Sequence, residues 1–501
     1  DALNDVRNLE TAIRATKAAG GHCQTAISYT TSQIHTVDYF VDLANKMADL
    51  GADSICIKDM AGLVKPYAAK KLISALKEEL NIPVNLHTHD STGNGVSTLL
   101  MASEAGLDIA DCAIGSMSSM TSNPCMNSLV EALKGTERDT GLNPDELTEL
   151  SQYYARIRPI YKQFESGMDA PNTEIYKYEI PGGQYSNLLA QVKEMGAAED
   201  FEEIKGLYKD ANQLLGNIVK VTPSSKVVGD FAIFMFKNGL TKENILEVGK
   251  DLSYPDSVVE YFEGMIGQPE GGFPEELQKI VLKDKKPIDV RPGSLLPDED
   301  FDYIAKGLKE NFYTENMEDP DVLSQKTLSY ALYPKVYEDY CRHFEAYNDV
   351  TGLESHVYFY GLRKGEETTL KLDEGKYLII KFIDMTEPDE DGYRLLDFEV
   401  NGSIREIKVL DKNLEVKTDR RVKADKSNPA HLGSTIPGTV GKVLVNEGDE
   451  VTVNMPLMTV EAMKMETTVV STVNGKVDKI YVKEGEQVNQ EDLLISFEID
   501  E

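Results

Sequence analysis

The sequence predicts a multidomain α/β protein whose four regions follow one another along the chain. Three observations predict this fold class. Short apolar runs alternate with amphipathic segments through residues 1–130, turn sequences separate strand-like runs beyond residue 351, and a strand pattern near the carboxyl terminus recurs 37 positions later. A chain of 501 residues is long enough to bury more than one hydrophobic core.

The first region, residues 1–130, has the pattern of repeated β/α units. The predicted strands are Cys23–Tyr29, Ser54–Ile57, Pro83–His87 and Ile109–Ile114, and the predicted helices are Tyr39–Leu50, Tyr67–Leu80 and Gly95–Ala105. Such alternation produces a parallel sheet. A spacing of roughly 25–30 residues per unit suits either a (β/α)8 barrel or an open doubly wound sheet. Because the chain begins at Asp1, inside what resembles the end of a strand, we expect it to be a piece of a longer protein.

Polar side chains crowd the carboxyl ends of two predicted strands, where parallel sheets place their chemistry. Lys58 follows one strand, and His87 and His89 lie two residues apart on the next. Residues at that spacing in a strand point to the same face. Two imidazoles on one face could form half of a metal site, or they could be hydrogen-bonding histidines at the rim of the sheet. The spacing alone leaves both open.

The second region, residues 131–350, is predicted to be mostly helical, with loops rich in glycine and proline. One loop contains Thr222-Pro223-Ser224-Ser225, in which hydroxyls and an early proline predict the start of a helix. The third region, residues 351–422, is predicted to be β-rich and to have a structural role. Its predicted strands are Val357–Gly361, Thr368–Leu372, Tyr377–Ile383, Arg394–Val400 and Ile404–Leu410.

A short polar segment, residues 423–431, is predicted to be a linker that lets the last region, residues 432–501, swing. In that last region Pro437–Val443 and Val445–Val451 recur as Asn474–Ile480 and Val482–Val488. Two copies of a strand unit joined by a tight turn predict a pseudo-twofold β sandwich. Lys464, which stands between two methionines near the junction, is predicted to lie at a hairpin tip.

The stretch Ala462-Met463-Lys464-Met465 resembles biotinyl carrier domains, which bear Ala-Met-Lys-Met at a hairpin tip. Lipoyl domains share the repeat but lack the Met-Lys-Met sequence, so biotin is favoured over lipoate. The resemblance implies an all-β domain of the biotinyl/lipoyl type with biotin attached covalently to Lys464. It also implies a biotin protein ligase as a partner.

Alongside this carrier, Lys58-Asp59-Met60-Ala61-Gly62 and His87-Thr88-His89-Asp90 resemble the carboxyltransferase domain of biotin-dependent enzymes that act on pyruvate or oxaloacetate. The resemblance implies a (β/α)8 TIM barrel in which Lys58 is carboxylated and binds a divalent metal, zinc or manganese, together with His87 and His89. A carbamate supplies the anionic oxygen that a lysine lacks. The family's metal-binding Asp and its substrate-binding Arg and Gln have no match in the sequence, so we expect a partial barrel.

Pro171–Tyr176 and Pro181–Leu188 resemble pyruvate carboxylases in particular, and Val219–Asp230 resembles the same family of biotin-dependent carboxyltransferases. This resemblance implies that Thr222 is catalytic and moves a proton between biotin and the enol of pyruvate, while Ser225 and Lys226 line the biotin pocket. The domains that it implies are the second half of the carboxyltransferase barrel (1–130), its helical extension (131–350), a tetramerisation domain (351–422), a linker (423–431) and the biotin carboxyl carrier (432–501).

The implied reaction transfers a carboxyl group from carboxybiotin to pyruvate and makes oxaloacetate. ATP, Mg and bicarbonate would be used by the protein's own biotin carboxylase domain, expected upstream, and the assembly would be a homotetramer. Two alternatives stay open. One is the α subunit of an oxaloacetate decarboxylase, or a transcarboxylase subunit. The other is that this chain in isolation is a biotin-accepting assembly module without catalysis.

The composition limits which partners the protein can bind and in which cellular compartment we expect it. The net charge is −33, which disfavours nucleic acid and anionic membranes as partners. No apolar run approaches the roughly 20 residues of a membrane span. Five cysteines, an odd number without CxxC spacing, favour a reducing compartment. We therefore expect a cytoplasmic protein, or a protein of the mitochondrial matrix if the source is a eukaryote.

Overall fold

The computed structural model describes the chain except for residues 166, 313–315, 390–391, 412–421, 426–427, 463–464 and 500–501. The chain divides into two compact units. One comprises Asp1–Leu295 with Arg421–Glu501, and the other comprises Leu296–Arg420. In the part of the chain that the structure describes, no helix is both long and apolar enough to cross a membrane. The predicted multidomain α/β fold class is confirmed, whereas the domain boundaries given above stay predictions.

A parallel sheet opens the first unit. Its strands are β1 (Gln24–Ser28), β2 (Ser54–Asp59), β3 (Val84–Thr88) and β4 (Ile109–Ala110), and the helices beside them are α1 (Glu10–Ala18), α2 (Val37–Asp49), α3 (Pro66–Glu79), α4 (Gly95–Glu104) and α5 (Met126–Leu133). The strands lie in the order β1-β2-β3-β4, and every neighbouring pair is parallel. The apolar faces of the helices and the strand side chains form one buried cluster, which includes Phe40, Met47 and Ile57. This arrangement places the carboxyl ends of all four strands at one edge.

Two sequence expectations for this region were wrong. Residues Asp1–Asn4 form a turn rather than the end of a strand, because the Asp1 carboxylate accepts the backbone amides of Leu3 and Asp5. The predicted strand Ile109–Ile114 pairs with β3 only at Ile109 and Ala110. Beyond that point the chain turns away, and Ala113 forms an isolated bridge with Cys125.

A helical region follows in the same unit. Its helices are α6 (Pro144–Ile157), α7 (Ile175–Tyr178), α8 (Gly182–Glu194), α9 (Phe201–Leu214), α10 (Ser224–Lys237), α11 (Ile245–Val248), α12 (Asp256–Glu263) and α13 (Glu275–Leu282). Helix α10 lies at the centre of a buried cluster, in which its Phe231 packs with Tyr208 and Tyr261. The predicted helix start at Thr222–Ser225 is confirmed, since α10 begins at Ser224.

The second unit contains helices and an antiparallel sheet. Its elements are α14 (Phe301–Asn311), α15 (Pro320–Leu332), α16 (Pro334–Tyr347), α17 (Ser355–Tyr360), β5 (Glu367–Asp373), β6 (Lys376–Met385), β7 (Tyr393–Val400) and β8 (Ser403–Leu410). The strands pair in sequence order as a meander. The strand predicted at Val357–Gly361 is wrong, because this aromatic run forms α17, in which the amide of Tyr358 donates to the carbonyl of Glu354.

The carboxyl-terminal residues form a two-sheet sandwich that we call the carrier module (residues 431–499, of which 463–464 lie outside the described residues). Its strands are β9 (His431–Gly433), β10 (Gly438–Val443), β11 (Glu450–Val451), β12 (Pro456–Ala462), β13 (Met465–Val470), β14 (Gly475–Ile480), β15 (Gln487–Val488) and β16 (Leu493–Ile499). The two sheets have the orders β13-β12-β10-β15 and β11-β14-β16-β9. Strands β14, β15 and β16 each begin 37 positions after β10, β11 and β12, so the sequence repeat corresponds to repeated strands.

The described part of the predicted linker is held against the carrier module. The amide of Ala424 donates to the carbonyl of Glu491, and the amide of Leu493 donates to the carbonyl of Val422. The Lys423 ammonium lies 2.8 Å from a carboxylate oxygen of the buried Asp492. These residues therefore lie along the module as an additional edge and not as a free tether.

Candidate functional site

The three predicted metal-binding side chains lie together at the carboxyl edge of the parallel sheet. Lys58 near the end of β2 and His87 near the end of β3 are register partners. The Nζ atom of Lys58 is 3.2 Å from Nε2 of His87. The rings of His87 and His89 follow on the same face, with centroids 5.4 Å apart. Parallel pairing of two adjacent strands is therefore what brings these residues together.

Asp111 determines which nitrogen of His87 faces Lys58. Its carboxylate oxygen lies 2.8 Å from Nδ1 of His87. Because a carboxylate only accepts, Nδ1 carries the proton and Nε2 presents a lone pair. Asn123 adds a donor near that lone pair, with its Nδ2 atom 3.4 Å from Nε2. Neither Asp111 nor Asn123 was predicted from the sequence, because each lies beyond the strand that bears the histidine.

His89 has the same orientation. Its Nδ1 atom donates to the carbonyl oxygen of Thr121 at 2.6 Å, which leaves Nε2 as the unprotonated nitrogen. Burial lowers the pKa of His89, which favours the neutral imidazole. A neutral imidazole whose other nitrogen is bound by a carbonyl or carboxylate is the usual form of a metal-ligating histidine.

A divalent metal fits these residues only in part. The described residues contain no group of three His, Cys, Asp or Glu side chains that could hold a metal ion. They supply two imidazole nitrogens and the Lys58 amine, which must become anionic before it can act as a third ligand. The metal ligands Lys58, His87 and His89 thus stay a prediction that this geometry supports.

The residues after Lys58 shape the loop at the sheet edge. Asp59 is fully buried and accepts four hydrogen bonds. The donors are the amides of Ala61, Leu63 and Val64 and the hydroxyl of Thr88. Burial raises the pKa of Asp59 in spite of these donors. At Gly62, where φ is +70°, a Cβ would lie 2.6 Å from the carbonyl oxygen of His89, so only glycine allows the loop to approach the histidine strand.

The Thr222 loop is attached to the same edge by a buried lysine. The Nζ atom of Lys220 lies 2.7 Å from the carboxylate of Glu179 and 3.3 Å from the hydroxyl of Thr30. Thr30 stands just after β1, where the amide of Tyr29 donates to the carbonyl of Lys58. Burial lowers the pKa of Lys220. Thr222 is exposed two residues later, and it therefore lies near the sheet edge that bears the histidines.

Ser225 and Lys226 belong to the first turn of α10. Ser225 is buried and Lys226 is half-buried. The neighbouring Ser224 was not predicted as functional, yet its hydroxyl accepts the amide of Val221 at 3.1 Å and lies 2.7 Å from the carbonyl oxygen of Val219. Ser224 thereby fixes the turn that presents Thr222.

The predicted biotin site is at the β12–β13 hairpin of the carrier module. Lys464 itself lies outside the described residues. The last described pair of the hairpin joins Ala462 and Met465. These two residues flank the position of Lys464 in the sequence.

Comparison with known proteins matches three parts of the chain to families. These are the HMGL-like family over residues 2–153, the conserved carboxylase domain over 175–381 and the biotin-requiring enzyme family over 429–497. Pyruvate carboxylase from Bacillus subtilis (strain 168) is 45% identical over 504 residues, which span 99% of this chain and 43% of that protein.

Two solved structures from Rhizobium etli are similar in fold. The complete multifunctional pyruvate carboxylase has a TM-score of 0.77 at 38% identity, with 99% of this chain and 46% of that chain covered. The carboxyl transferase domain of that enzyme with pyruvate and biocytin has a TM-score of 0.76 at 40% identity, with 82% of this chain and 70% of that chain covered.

The chain spans less than half the length of the complete relatives, namely 43% of the Bacillus protein and 46% of the Rhizobium chain. It covers more than two thirds of the carboxyl transferase domain structure. The resemblance inferred from the sequence motifs is confirmed both by the complete relatives and by the carboxyl transferase domain structure. The chain belongs to the pyruvate carboxylase family and corresponds to its carboxyl-terminal region.

Proposed function

We propose that, as part of the full-length protein, this chain contributes to the carboxyl-transfer half of pyruvate carboxylation, in which pyruvate gains a carboxyl group and becomes oxaloacetate. The observation that carries the proposal is the approach of Lys58 to Nε2 of His87, on the sheet edge to which Lys220 attaches the Thr222 loop. The similar Rhizobium carboxyl transferase structure with pyruvate and biocytin supports the choice of substrate.

In this proposal Lys58 acts after it has become a carbamate. Its neutral amine adds to CO2, a nitrogen–carbon bond forms, and a proton leaves the nitrogen. The anionic oxygens then stand beside the Nε2 atoms of His87 and His89. A zinc or manganese ion bound by these three groups would supply positive charge next to the pyruvate oxygen that becomes anionic. Asp111 and Thr121 hold the two imidazoles in the required orientation.

Thr222 moves the proton. Its Oγ1 atom would accept a proton from the methyl group of pyruvate and pass it on to the biotin nitrogen that loses the carboxyl group, and Ser225 and Lys226 would line the pocket for the ring. Biotin, attached to Lys464, supplies the mobile carboxyl group. The match of residues 429–497 to biotin-requiring enzymes supports this attachment.

The complete protein would add the remaining steps and contacts. We propose that a biotin carboxylase domain uses ATP, Mg and bicarbonate to load the carrier, that a biotin protein ligase modifies Lys464, and that the enzyme is a homotetramer. Within this chain, we propose residues 1–350 as the carboxyltransferase part and 351–422 as the assembly region. The full-length relatives support the presence of the additional domain in the whole protein.

The test is a threonine substitution in the full-length protein. We expect Thr222→Ala to abolish carboxyl exchange between pyruvate and oxaloacetate, because the substitution removes the hydroxyl that relays the proton, while streptavidin still detects biotin on Lys464. Thr148→Ala, at an exposed position of α6, is the matched control and should leave exchange unchanged. Exchange at the wild-type rate in Thr222→Ala would remove Thr222 from the mechanism.

A further inference from the structure

Glu179 ends α7 in a backbone conformation that glutamate seldom adopts. Its φ is +57°, in the left-handed region, and its amide donates to the carbonyl of Ile175 at 2.7 Å. Glycine or asparagine usually closes a helix in this way, because other side chains meet a steric cost there. A glutamate at this position is therefore better explained by what its side chain binds than by the turn itself.

Both carboxylate oxygens of Glu179 have partners, and these come from different parts of the chain. Oε1 accepts a hydrogen bond from the hydroxyl of Thr31 at 2.6 Å, and Oε2 lies 2.7 Å from Nζ of Lys220. The same Nζ atom donates to the hydroxyl of Thr30 at 3.3 Å. Glu179 and Lys220 thus close a ring of hydrogen bonds on two successive threonines that follow β1.

This ring is attached to the strand that bears Lys58. The amide of Tyr29, one residue before Thr30, donates to the carbonyl oxygen of Lys58 at 2.8 Å. Helix α7 adds a second attachment, because its buried Ile175 packs against Ala61 in the loop after β2. The carboxylate at the end of α7 is therefore held next to the strand of a proposed metal ligand.

On its other side the ring holds the loop that presents Thr222. Lys220 precedes Thr222 by two residues, so at most about 7 Å of backbone lies between them. The amide of the intervening Val221 donates to the hydroxyl of Ser224 at 3.1 Å, which limits how far the loop can move independently of Lys220. A shift of the Lys220 ammonium would therefore move the backbone that carries Thr222.

Stability alone does not account for this ion pair. The side chain of Lys220 is 3% exposed and that of Glu179 is 21% exposed. Removing such charges from water costs about as much free energy as their attraction returns, so an uncharged pair of similar volume would hold the fold equally well. An uncharged pair would lack the directed hydrogen bonds that fix Nζ of Lys220 relative to the two threonines.

We infer that Glu179 is a positioning residue for Thr222. Through Lys220 it holds the Thr222 hydroxyl at a fixed distance from the sheet edge that bears Lys58. The inference rests on the proposed function for the role of Thr222 as the proton relay. A displacement of about 1 Å can slow a positioned reaction roughly 100-fold, so a small shift of the loop is enough to matter.

The test is Glu179→Gln in the biotinylated full-length protein. We expect kcat for oxaloacetate formation to fall roughly 100-fold with little change in KM for pyruvate, because the displaced group is the proton relay. Deuteration of the pyruvate methyl group should then slow the variant more than it slows the unmodified protein, because proton removal has become the slow step. A variant that only loses folded molecules would keep the original isotope effect. Glu203→Gln, at an exposed position of α9, is the matched control and should change neither readout.

Two further variants separate positioning from folding. Thr31→Val removes the hydroxyl from Oε1 without leaving a buried charge unpaired, and should lower kcat roughly tenfold with the same rise in the isotope effect. The uncharged pair Glu179→Gln with Lys220→Met should regain the urea midpoint of the unmodified protein but not its rate. The inference is overturned if this pair regains both, or if Glu179→Gln keeps the original rate or isotope effect.

This result is distinguishable from failure of the proposed function. Loss of exchange in Thr222→Ala together with an unchanged isotope effect in Glu179→Gln would overturn the role of Glu179 alone. Exchange at the wild-type rate in Thr222→Ala would overturn the proton relay and, with it, the role of Glu179.

Discussion

We expect Asp111 to raise the affinity of the proposed site for a metal, although Asp111 is not itself one of the proposed ligands. Its carboxylate accepts a hydrogen bond from Nδ1 of His87 at 2.8 Å. This keeps the proton on Nδ1 and leaves the lone pair of Nε2 available to a metal. Asp111→Asn replaces this charge-assisted bond by a neutral one, and in one amide orientation favours the other tautomer. We expect metal affinity to fall roughly 10- to 100-fold. The measurement is the metal content of the full-length protein after dialysis against graded chelator concentrations.

The control for this substitution is Asp145→Asn, which changes an exposed carboxylate in the first turn of α6. It removes the same charge without touching a histidine, so its metal content should match that of the unmodified protein. If Asp111→Asn retains metal as firmly as this control, Asp111 does not position His87 for a metal.

Asp230 makes the stability of the chain depend on pH. Burial raises its pKa to about 6, although Ser257 donates to one carboxylate oxygen at 2.5 Å and Lys226 is nearby. Its other oxygen has no hydrogen-bond partner among the described residues. A carboxyl group whose pKa is higher in the folded state favours folding at low pH, and this contribution is lost as pH rises through about 6.

We therefore expect Asp230→Asn to raise the apparent free energy of unfolding by about 2–3 kcal/mol near pH 7.5, because an amide carries no charge to desolvate. The gain should shrink as pH falls through about 6 and be nearly gone close to pH 4. Urea unfolding at several pH values measures it, with Asp256→Asn, an exposed position of α12, as the control. A gain that is independent of pH would contradict the assignment of a raised pKa.

The residues of the site divide into those that local sequence predicts and those that it does not. Lys58, His87 and His89 lie at the ends of predicted strands or just after them, so pairing of adjacent strands was enough to expect them together. Asp111, Lys220 and Glu179 contact the site only because distant segments meet there, at sequence separations that no local period encodes. Hydrogen-bonding partners of this kind require the fold and cannot be obtained from spacing.

At the scale of elements, the hydrophobic periodicity of the sequence predicted most strands of the parallel sheet and most of the helices beside it. Residues 355–360 did not, because a Val-Tyr-Phe-Tyr run has high strand propensity while the backbone there bonds locally as a helix. The polar composition at Lys423 predicted a tether, yet its neighbours pair with Glu491 and Leu493. Propensity and composition do not show whether a segment will lie close enough to an unpaired sheet edge to form hydrogen bonds with it.

The close approach of β10 to β12 supports the hairpin that bears Lys464. A Cβ on Gly438 would lie 2.5 Å from the carbonyl oxygen of Glu461, three residues before that lysine. We expect Gly438→Ala to separate these strands, to destabilise the carrier module by about 1–3 kcal/mol and to lower the biotinylated fraction. Limited proteolysis and a streptavidin gel shift report the two effects.

Gly206→Ala is the matched control, because this glycine lies in α9 with open space around its Cβ direction. A helical position of that kind gains slightly from alanine, so neither readout should fall. Full biotinylation and wild-type protease resistance in Gly438→Ala would show that the hairpin does not depend on this contact.

At the scale of the whole molecule, the net charge of −33 affects solubility, whereas the unpaired edges of the parallel sheet affect the proposed catalytic site. The charge favours solubility and opposes binding to polyanions. The sheet is the constraint on catalysis, since β1 and β4 each pair with a single neighbour among the described strands. The proposed metal-ligand set at its carboxyl edge contains two imidazoles and one lysine, and the described residues hold no group of three His, Cys, Asp or Glu side chains that could bind a metal there.

These properties lead to a prediction for the chain of 501 residues expressed by itself. The carrier module has its own buried core, which includes Val440, Leu457 and Phe497, so we expect the chain to accept biotin at Lys464. We expect no carboxyl exchange, because the metal site is incomplete and the sheet edges are unpaired. The measurements are streptavidin binding, with Lys464→Arg as the unbiotinylated control, and oxamate-stimulated decarboxylation of oxaloacetate. The full-length protein should give both signals, whereas decarboxylation by the 501-residue chain at a comparable rate would show that these residues alone complete the site.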